Sequence, residues 1–223
     1  MYSDKDITVI ILGSKLQNLT ENCIKTIQET SEAKIIVLTC SDLGNMKQIN
    51  DVQTFHVDLP FNYNKFANIG AEAANTELLV IANNDLLFQK DWSKGLLYWV
   101  NKGHEVISPR EPKDKRHSDI KTDITGYKCG RHFCGWCFMI KKSTWEKIHG
   151  FDEDFSFWCA DNAVIEQLKK INVKPVLSYD SVVVHLGSQT LNTLSKKEYD
   201  ELTKVQVRKF NAKYNQNLFN LGK

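Results

Sequence analysis

Residues 61–85 read FNYNKFANIGAEAANTELLVIANND, and this stretch decides the fold. Its first part predicts a helix, and the apolar run at 77–82 predicts a strand that ends in Asn-Asn-Asp. A short, near-continuous apolar strand that follows a helix is typical of a parallel sheet covered on both faces. Ligands of such sheets bind beyond the carboxyl ends of the strands, so the stretch predicts a polar site at Asn83, Asn84 and Asp85.

The rest of the first half repeats this pattern. Apolar runs at residues 7–12 and 34–39 and a short segment at 52–57 predict three more strands, and the apolar residues between the first two recur at helical spacing. Strands that alternate with amphipathic helices predict an α/β fold, a single domain with a mostly parallel central sheet and helices on both faces. The segments after the first two strands, GSKLQ from Gly13 and CSD from Cys40, are then expected at the same edge of the sheet.

The second half of the sequence is less regular. It predicts a helix over 92–101, a strand over 105–108 and a long loop over 109–132, long enough to face a substrate. The apolar run at 133–140, FCGWCFMI, resembles a buried strand. Further on, the sequence predicts helices over 143–148 and 161–171, two strands around residues 176 and 183, and a polar helical tail.

The composition fits one globular domain. The chain has 223 residues, of which 42% are hydrophobic and 25% are charged, enough for a core and a cleft. No apolar run approaches the roughly 20 residues of a membrane helix, and the first residues lack a cationic region followed by a long apolar stretch. We therefore expect a soluble, cytoplasmic protein with no transmembrane segment, and leave peripheral membrane contact open. The residues carry no signal for an oligomeric state.

The formal net charge of +2 hides two basic segments. Residues 109–132 contain seven Lys or Arg and four acids, and residues 196–223 contain seven and three. Such segments can follow the phosphates of a nucleotide, a lipid head group or a nucleic acid. A solvated surface explains the same charges equally well.

Two cysteines, Cys134 and Cys137, lie in the spacing of redox pairs and zinc sites. With Cys129 and His132 they provide four nitrogen and sulfur ligands within nine residues, which is compatible with zinc. Structural zinc sites more often use two separated pairs, and the apolar run after Cys134 does not resemble the helix start that activates a redox thiol. Reduced thiols that pack as small hydrophobes are the favoured interpretation.

Three segments carry a resemblance to a known family. The opening stretch, the segment GWCFMIKKSTWEKIHGFDEDFSFWCADNAVIEQL at 135–168 and VVVHLGS at 182–188 resemble family 2 glycosyltransferases of the GT-A fold, in the rhamnosyltransferase-like subset with an Asn-Asn-Asp metal motif. The resemblance implies a GT-A, Rossmann-like domain over 1–190, with a nucleotide-sugar half to about residue 108 and an acceptor half from 109. Residues 191–223 would then form a small, basic C-terminal helical tail.

The resemblance also implies roles in catalysis and metal binding. Asp85 would hold Mn²⁺ or Mg²⁺ on the donor diphosphate, with Asn83 in place of the motif's first acid and His185 completing the metal site. Asp161 matches the second member of the family's acidic pair, which is the general base, whereas Ala160 replaces the first. A carboxylate at that position also fits a helix N-cap, and the two roles are compatible.

Substrate contacts are implied in the same way. An acid that holds the nucleobase is usual after the second strand, but this chain has Thr-Cys-Ser there and an Asp slightly later, so a UDP-linked or dTDP-linked sugar is expected without a fixed base. The aromatic faces near the base are expected to pack against sugar rings or bases, or to belong to the core. The implied donor-binding residues are Gly13, Ser14, Thr39, Ser41, Asp42, Asn68, Asn83 and Asn84, and the acceptor-binding residues are Gly135, Trp136, Trp158 and Asp152.

The expected activity is that of an inverting hexosyl- or pentosyltransferase. A divalent cation would stabilise the departing phosphate and a carboxylate would take the proton of the acceptor hydroxyl. Two acceptors stay open: a glycan or lipid-linked saccharide, and a hydroxymethylated base in DNA of the phage type. A non-catalytic nucleotide- or sugar-binding module on the same fold is the alternative, because Asn83 and Ala160 stand where the family has acids.

Overall fold

The structure is a computed structural model that describes residues 1–13, 17–40, 48–187 and 195–218. Nine strands among these residues form one sheet in the order β3-β2-β1-β4-β8-β6-β9-β5, with β7 paired to β9. The strands are β1 Ile7–Leu12, β2 Lys34–Cys40, β3 Val52–Val57, β4 Leu78–Asn83, β5 Leu86–Phe88, β6 Val106–Arg110, β7 Ile124–Thr125, β8 Cys137–Lys141 and β9 Val176–His185.

Helices cover the sheet and continue into the C-terminal region. The α-helices in the described ranges are α1 Gln17–Thr30, α2 Tyr63–Ala73, α3 Trp92–Asn101, α4 Lys142–Lys147, α5 Ala160–Lys170, α6 Lys196–Asp200 and α7 Gln206–Tyr214. Short 3-10 turns lie at Asp4–Asp6 and Lys115–His117, and a π-helical turn at Glu201–Val205 joins the last two helices.

The sheet joins two halves of different character. Strands β1, β2, β3 and β4 pair in parallel, as the sequence predicts, so β1, β2 and β4 present their carboxyl ends at one edge. In the second half β8 runs antiparallel to both β4 and β6, and β9 is parallel to β6 but antiparallel to β5 and β7. The predicted α/β class, a single Rossmann-like domain with helices on both faces, is confirmed; the parallel pairing is complete only in the first half.

Four strands differ from the sequence-based prediction: β5 and β7 were not expected, β8 begins at Cys137 rather than at Phe133, and β9 replaces two strands. The two strands expected around residues 176 and 183 are one strand, β9, whose register against β6 shifts between Pro109 and Arg110. The polar residues at the shift pair outside the ladder, since the Tyr179 N–H donates to Asp123 Oδ1 at 2.8 Å. The short strand β5 follows the polar triplet and escaped prediction because three residues are too few to show a period.

The core lies on both faces of the sheet, as period-2 burial requires. Val9 and Ile11 face one apolar cluster, and Ile10 and Leu12 face the other. Helix α2 approaches closely, because a Cβ on Gly70 would lie 2.3 Å from Ile10 Cγ2. This contact fixes α2 directly beside the strand edge where the predicted site lies.

A third cluster attaches the C-terminal region to the domain. Val207 and Phe210 of α7 are buried against Phe155, Ala160 and Ala163, next to the start of α5. Among the described residues, no helix has both the length and the apolar character needed to cross a membrane.

Candidate active site

The first part of the site is the backbone at the ends of β1 and β2. The Gly13 N–H donates to Leu38 O at 2.8 Å, and a Cβ on Gly13 would lie 2.9 Å from the same oxygen. Thr39 is buried beside it. Two predicted donor-binding residues therefore meet at one edge; the others expected here, Ser14, Ser41 and Asp42, lie outside the described residues.

The second part is a carboxylate–imidazole pair at the end of β4. Asp85 Oδ1 lies 3.2 Å from His185 Nε2, and both side chains are largely buried. The pairing of β5 with β9 sets this distance, because Leu86 is opposite His185 and the Leu186 N–H donates to Asp85 O at 3.0 Å. Asp85 and His185, 100 residues apart, are thus brought together, as the sequence predicts.

Asp85 and His185 fit a divalent cation that also binds a substrate. Asp85 Oδ1 is buried, and although His185 Nε2 lies 3.2 Å away, the oxygen makes no well-aligned hydrogen bond within the described ranges, which is costly without a further ligand. No group of three or more His, Cys, Asp or Glu side chains in those ranges is arranged as a full metal cage. Mg²⁺ and Mn²⁺ accept one or two protein ligands when phosphate oxygens supply the remainder, so the pair suits a cation that arrives with a diphosphate.

The two asparagines of the triplet are held by neighbouring elements. The Asn83 N–H donates to Trp136 O at 2.9 Å, which extends the contact between β4 and the segment before β8. Asn84 is buried, and its Nδ2 donates to Thr20 Oγ1 of α1 at 2.9 Å. These bonds fix the turn that carries Asp85, whereas contacts of Asn83 and Asn84 with a donor remain predictions.

Sequence reasoning missed Glu111. Its carboxylate is 5% exposed and accepts the His185 backbone N–H at Oε2 and the Lys113 backbone N–H, at 2.7 Å, at Oε1. Glu111 therefore attaches the start of the 109–132 loop to the strand end that carries His185. It follows directly after β6, and no pattern in the chain distinguishes it from the other acids of the loop.

Trp136 connects the Asp85–His185 pair to the segment before β8. Its ring stacks on His185 with centroids 5.2 Å apart and planes inclined by 22°. The indole is 9% exposed, so it belongs mostly to the core and contributes one face to the site. The preceding residue, Gly135, faces Asp161.

Asp161 lies in the first turn of α5 and is half-buried. Its Oδ1 accepts the Asn162 N–H at 2.8 Å, and its Oδ2 accepts the Cys129 thiol at 2.8 Å. A Cβ on Gly135 would lie 2.4 Å from Asp161 Cβ and 2.9 Å from Oδ2. The carboxylate is thus fixed against a backbone that has no side chain at this position.

Tyr63 of α2 completes this end of the site. Its hydroxyl donates a short hydrogen bond to the Gly135 carbonyl. Burial and the nearby Asp161 charge raise the Tyr63 pKa, so the phenol stays protonated and remains a donor. Tyr63 was not predicted from the sequence, because it is one of several aromatic residues at the start of α2.

Three further predicted residues are Asn68 in α2 and, in the segment between α4 and α5, Asp152 and Trp158. The Asn68 amide is buried and fully used: it accepts the Trp145 Nε1–H and the Phe151 N–H, and donates to Phe151 O at 2.9 Å and to Glu153 Oε1 at 3.0 Å. It therefore holds the turn after α4, and donor contact by Asn68 remains a prediction.

Asp152 and Trp158 lie between that turn and α7. The Asp152 carboxylate accepts Lys213 Nζ and, at 2.7 Å, the Tyr214 hydroxyl of α7. Trp158 packs at the edge of the third apolar cluster. Both residues precede α5, and acceptor contact by either of them stays a prediction.

The cysteines do not assemble into a metal or redox centre. Cys134 and Cys137 are fully buried, and burial raises the pKa of both thiols far above the range of a reactive thiolate. Cys134 lies near His117, His132 Nδ1 accepts a backbone N–H, and Cys129 bonds Asp161. The four candidate zinc ligands therefore point to different partners, and the described residues form no metal cluster.

The basic segments are partly neutralised by acids. Arg116 pairs with Asp114 at 2.6 Å and Arg131 pairs with Asp119 at 2.8 Å, both within the 109–132 loop. In the C-terminal region, the described ion pairs include Lys204–Asp200, Lys209–Asp154 and Lys213–Asp154.

Solved structures with this fold include two that contain a nucleotide sugar. Mannosyltransferase PcManGT from Pyrobaculum calidifontis, in complex with GDP-Man and Mn²⁺, matches with a TM-score of 0.62 at 16% identity, over 85% of this chain and 59% of that chain. TarS 1–349 from S. aureus, in complex with UDP-GlcNAc, matches with a TM-score of 0.65 at 10% identity, over 92% of this chain and 66% of that chain.

These likenesses establish the fold. This chain spans less than two thirds of the length of either matched structure. No protein-family model and no curated protein matches the sequence. What the chain does is therefore argued from its own site.

Proposed function

We propose that the protein is an inverting, metal-dependent glycosyltransferase that moves a hexosyl or pentosyl group from a UDP- or dTDP-linked sugar to an acceptor hydroxyl. One observation carries the proposal. His185, which is paired with Asp85, stacks on Trp136, and the adjacent Gly135 abuts Asp161. Two side chains suited to a divalent cation, Asp85 and His185, and the separate carboxylate of Asp161 therefore flank the short segment Gly135–Trp136. Sugar transfer from a diphosphate needs both a cation for the leaving group and a base for the acceptor.

The chemistry follows from these positions. Asp161 takes the proton of the acceptor hydroxyl as its oxygen bonds to the anomeric carbon, and the bond from that carbon to the donor phosphate breaks. The nucleoside diphosphate leaves with the electron pair of that bond. Asp85 and His185 would hold Mn²⁺ or Mg²⁺, which supplies charge neutralisation for the leaving diphosphate. A single base on the face opposite the leaving group gives inversion.

The donor side would lie at the ends of β1 and β2. The close approach of Gly13 to β2 leaves backbone rather than side chain at this edge, as in other α/β sites where nucleotides bind. The nucleotide sugars of the two matched structures, GDP-Man and UDP-GlcNAc, extend the donors worth testing beyond UDP and dTDP sugars.

Of the two acceptors left open by the sequence, a saccharide hydroxyl is favoured. Duplex DNA is bound through cations that meet its phosphates, and two of the seven Lys and Arg residues of the 109–132 loop, Arg116 and Arg131, are paired with Asp114 and Asp119. Sugar transfer to DNA that falls steeply as the salt concentration rises would instead identify a hydroxymethylated base in DNA as the acceptor.

The test is a donor screen with Mn²⁺ or Mg²⁺ that measures nucleoside diphosphate release, followed by comparison with Asp161→Asn. The variant should lose about 100-fold or more in kcat while its nucleotide affinity stays within a few fold, because a general base acts on the chemical step. Asp51→Asn is the matched control, since Asp51 is exposed in the turn directly before β3, at the amino end of that strand and not at the carboxyl ends where the site lies. Nucleotide binding without any release would instead identify a non-catalytic binding module.

A further inference from the structure

We propose that Cys129 is a positioning residue for Asp161, and that its thiol fixes the rotation of the carboxylate that acts as the base. This inference rests on the proposed function, because it assigns Cys129 a task in the same reaction. Cys129 Sγ lies 2.8 Å from Asp161 Oδ2, although the two residues are 32 positions apart. The contact joins the 109–132 loop to the first turn of α5.

The contacts around the carboxylate leave room for this task. The Asn162 N–H holds Oδ1 at 2.8 Å, and Gly135 closes the side of the carboxylate that faces β8. Without a donor at Oδ2, only one oxygen would be held. A carboxylate has about four lone-pair positions, so two donors orient it and leave acceptor capacity for a substrate hydroxyl.

The thiol is held in its protonated form. Burial and the Asp161 charge raise the Cys129 pKa well above its ordinary value, so at neutral pH the sulfur carries a proton to donate. A thiol is a weak donor. It therefore orients the carboxylate through a weaker hydrogen bond than a hydroxyl would supply.

A tight turn delivers Cys129 to this position. The Gly130 N–H donates to Phe133 O at 2.7 Å, and Cys129 forms an isolated bridge with the same residue. Gly130 has φ +73°, and a Cβ there would lie 2.0 Å from Arg116 Nη1. The positive φ favours glycine at the turn that presents the thiol, and a side chain there would also displace the end of the Arg116 side chain.

The first experiment compares Cys129→Ala and Cys129→Ser by their pH–rate profiles, with Thr122→Ala, an exposed residue of the same loop, as the control. Cys129→Ala should lower kcat about tenfold, as the loss of one hydrogen bond to a charged group suggests, with the donor KM unchanged. Its acid limb should move to higher pH. Cys129→Ser should restore the rate at neutral pH and move the acid limb to lower pH, because a hydroxyl stabilises the carboxylate more strongly.

The second experiment needs no turnover. Iodoacetamide labelling of Cys129, followed by peptide mass spectrometry, should be faster in Asp161→Asn than in the wild type, because the charge that raises the thiol pKa is gone. The other five cysteines are buried and serve as internal references. Equal labelling rates would overturn the contact.

The two proposals fail in different ways. If release of nucleoside diphosphate depends on Asp161 but both Cys129 variants have the kcat and the acid limb of the wild type, only the positioning role is overturned. If the wild type releases no nucleoside diphosphate from any donor, the proposed function fails and the assignment of Cys129 fails with it.

Discussion

Gly135 lies directly against Asp161, so that a Cβ on Gly135 would come within 2.4 Å of Asp161 Cβ and 2.9 Å of Oδ2. The same glycine's carbonyl accepts the Tyr63 hydroxyl. Its backbone thus fixes the carboxylate from one side and α2 from the other. Substituting it should disturb the carboxylate before it disturbs the fold.

Gly135→Ala should lower kcat about 100-fold, because a methyl group at this position displaces Asp161, and a displacement on the order of 1 Å is enough for such a loss. The donor KM should change little, since Asp85 and His185 are untouched. Steady-state kinetics and a thermal melt check this. Gly103→Ala is the control for a glycine substitution away from the site: Gly103 has a positive φ and open space around it, unlike Gly135, so its substitution should reduce stability without reducing kcat. Full activity in Gly135→Ala would contradict the assignment of Asp161.

Tyr63→Phe should reduce kcat about tenfold, because the Gly135 carbonyl loses its buried donor and the segment beside Asp161 loosens. The ring itself stays, so packing of α2 is retained. Steady-state kinetics at neutral pH measure the effect. Tyr98→Phe, on an exposed part of α3, provides the comparison. An equal loss in both variants would mean that the hydroxyl of Tyr63 has no specific role.

Metal binding should depend on both members of the Asp85–His185 pair. Asp85→Asn and His185→Gln should each weaken Mn²⁺ binding in the presence of nucleoside diphosphate by about tenfold or more, as removal of a ligand or its support does. Electron paramagnetic resonance of free Mn²⁺ measures this without turnover. Asp51→Asn should bind Mn²⁺ as the wild type does. Unchanged binding in both site variants would remove the pair as the metal site.

Glu111→Gln tests the attachment of the loop to the pair. The carboxylate of Glu111 accepts one N–H at each oxygen, whereas the glutamine amide has a single oxygen. Either the His185 N–H or the Lys113 N–H would therefore face the buried amide NH2 and lose its acceptor. We expect Mn²⁺ affinity to fall roughly threefold, less than for Asp85→Asn or His185→Gln, because Glu111 only supports the strand end that carries His185. The same resonance measurement checks it, and Glu77→Gln serves as an exposed control.

His117 should make stability fall as the solution becomes acidic. It is 1% exposed, and burial lowers its pKa below the ordinary 6.5, so the unfolded chain binds a proton more readily than the folded protein. The stability that neutral His117 provides is full above pH 6.5 and is lost as pH falls toward the folded pKa. His117→Gln should therefore show a smaller drop in Tm between neutral and mildly acidic pH. An equal drop in both proteins would contradict this.

The first half of the fold could be predicted because its signals are local. The strands at 7–12 and 34–39 are apolar runs with a helix between them, and parallel strands buried on both faces produce such runs. The strand at 52–57 is a mixed, mostly exposed segment at the edge of the sheet. The antiparallel position of β8 could not be predicted, because an apolar run states burial and not direction. The single long β9 was missed because Ser178, Tyr179 and Asp180 interrupt its apolar pattern, and the Tyr179 N–H bonds to Asp123 outside the ladder.

The site divides in a similar way. Asp85, His185 and Asp161 were found from motifs at strand and helix ends, and the structure brings Asp85 next to His185. Glu111, Tyr63 and Cys129 act through contacts that span 72 residues in the case of Tyr63 and 32 in the case of Cys129. Such contacts arise from tertiary packing, so no window of the sequence contains them.

The 109–132 loop is anchored to the site at both ends: Glu111 binds the strand end of His185, and Cys129 binds Asp161. Under the proposed function, lengthening or replacing the middle of the loop would change the surroundings of the acceptor, while the two anchors hold the metal-binding pair and the base in place. A change at Glu111 would disturb the leaving-group side first, and a change at Cys129 would disturb the base side first. Acceptor preference could then vary through the middle of the loop without a change in the reaction, provided that its first and last turns are kept.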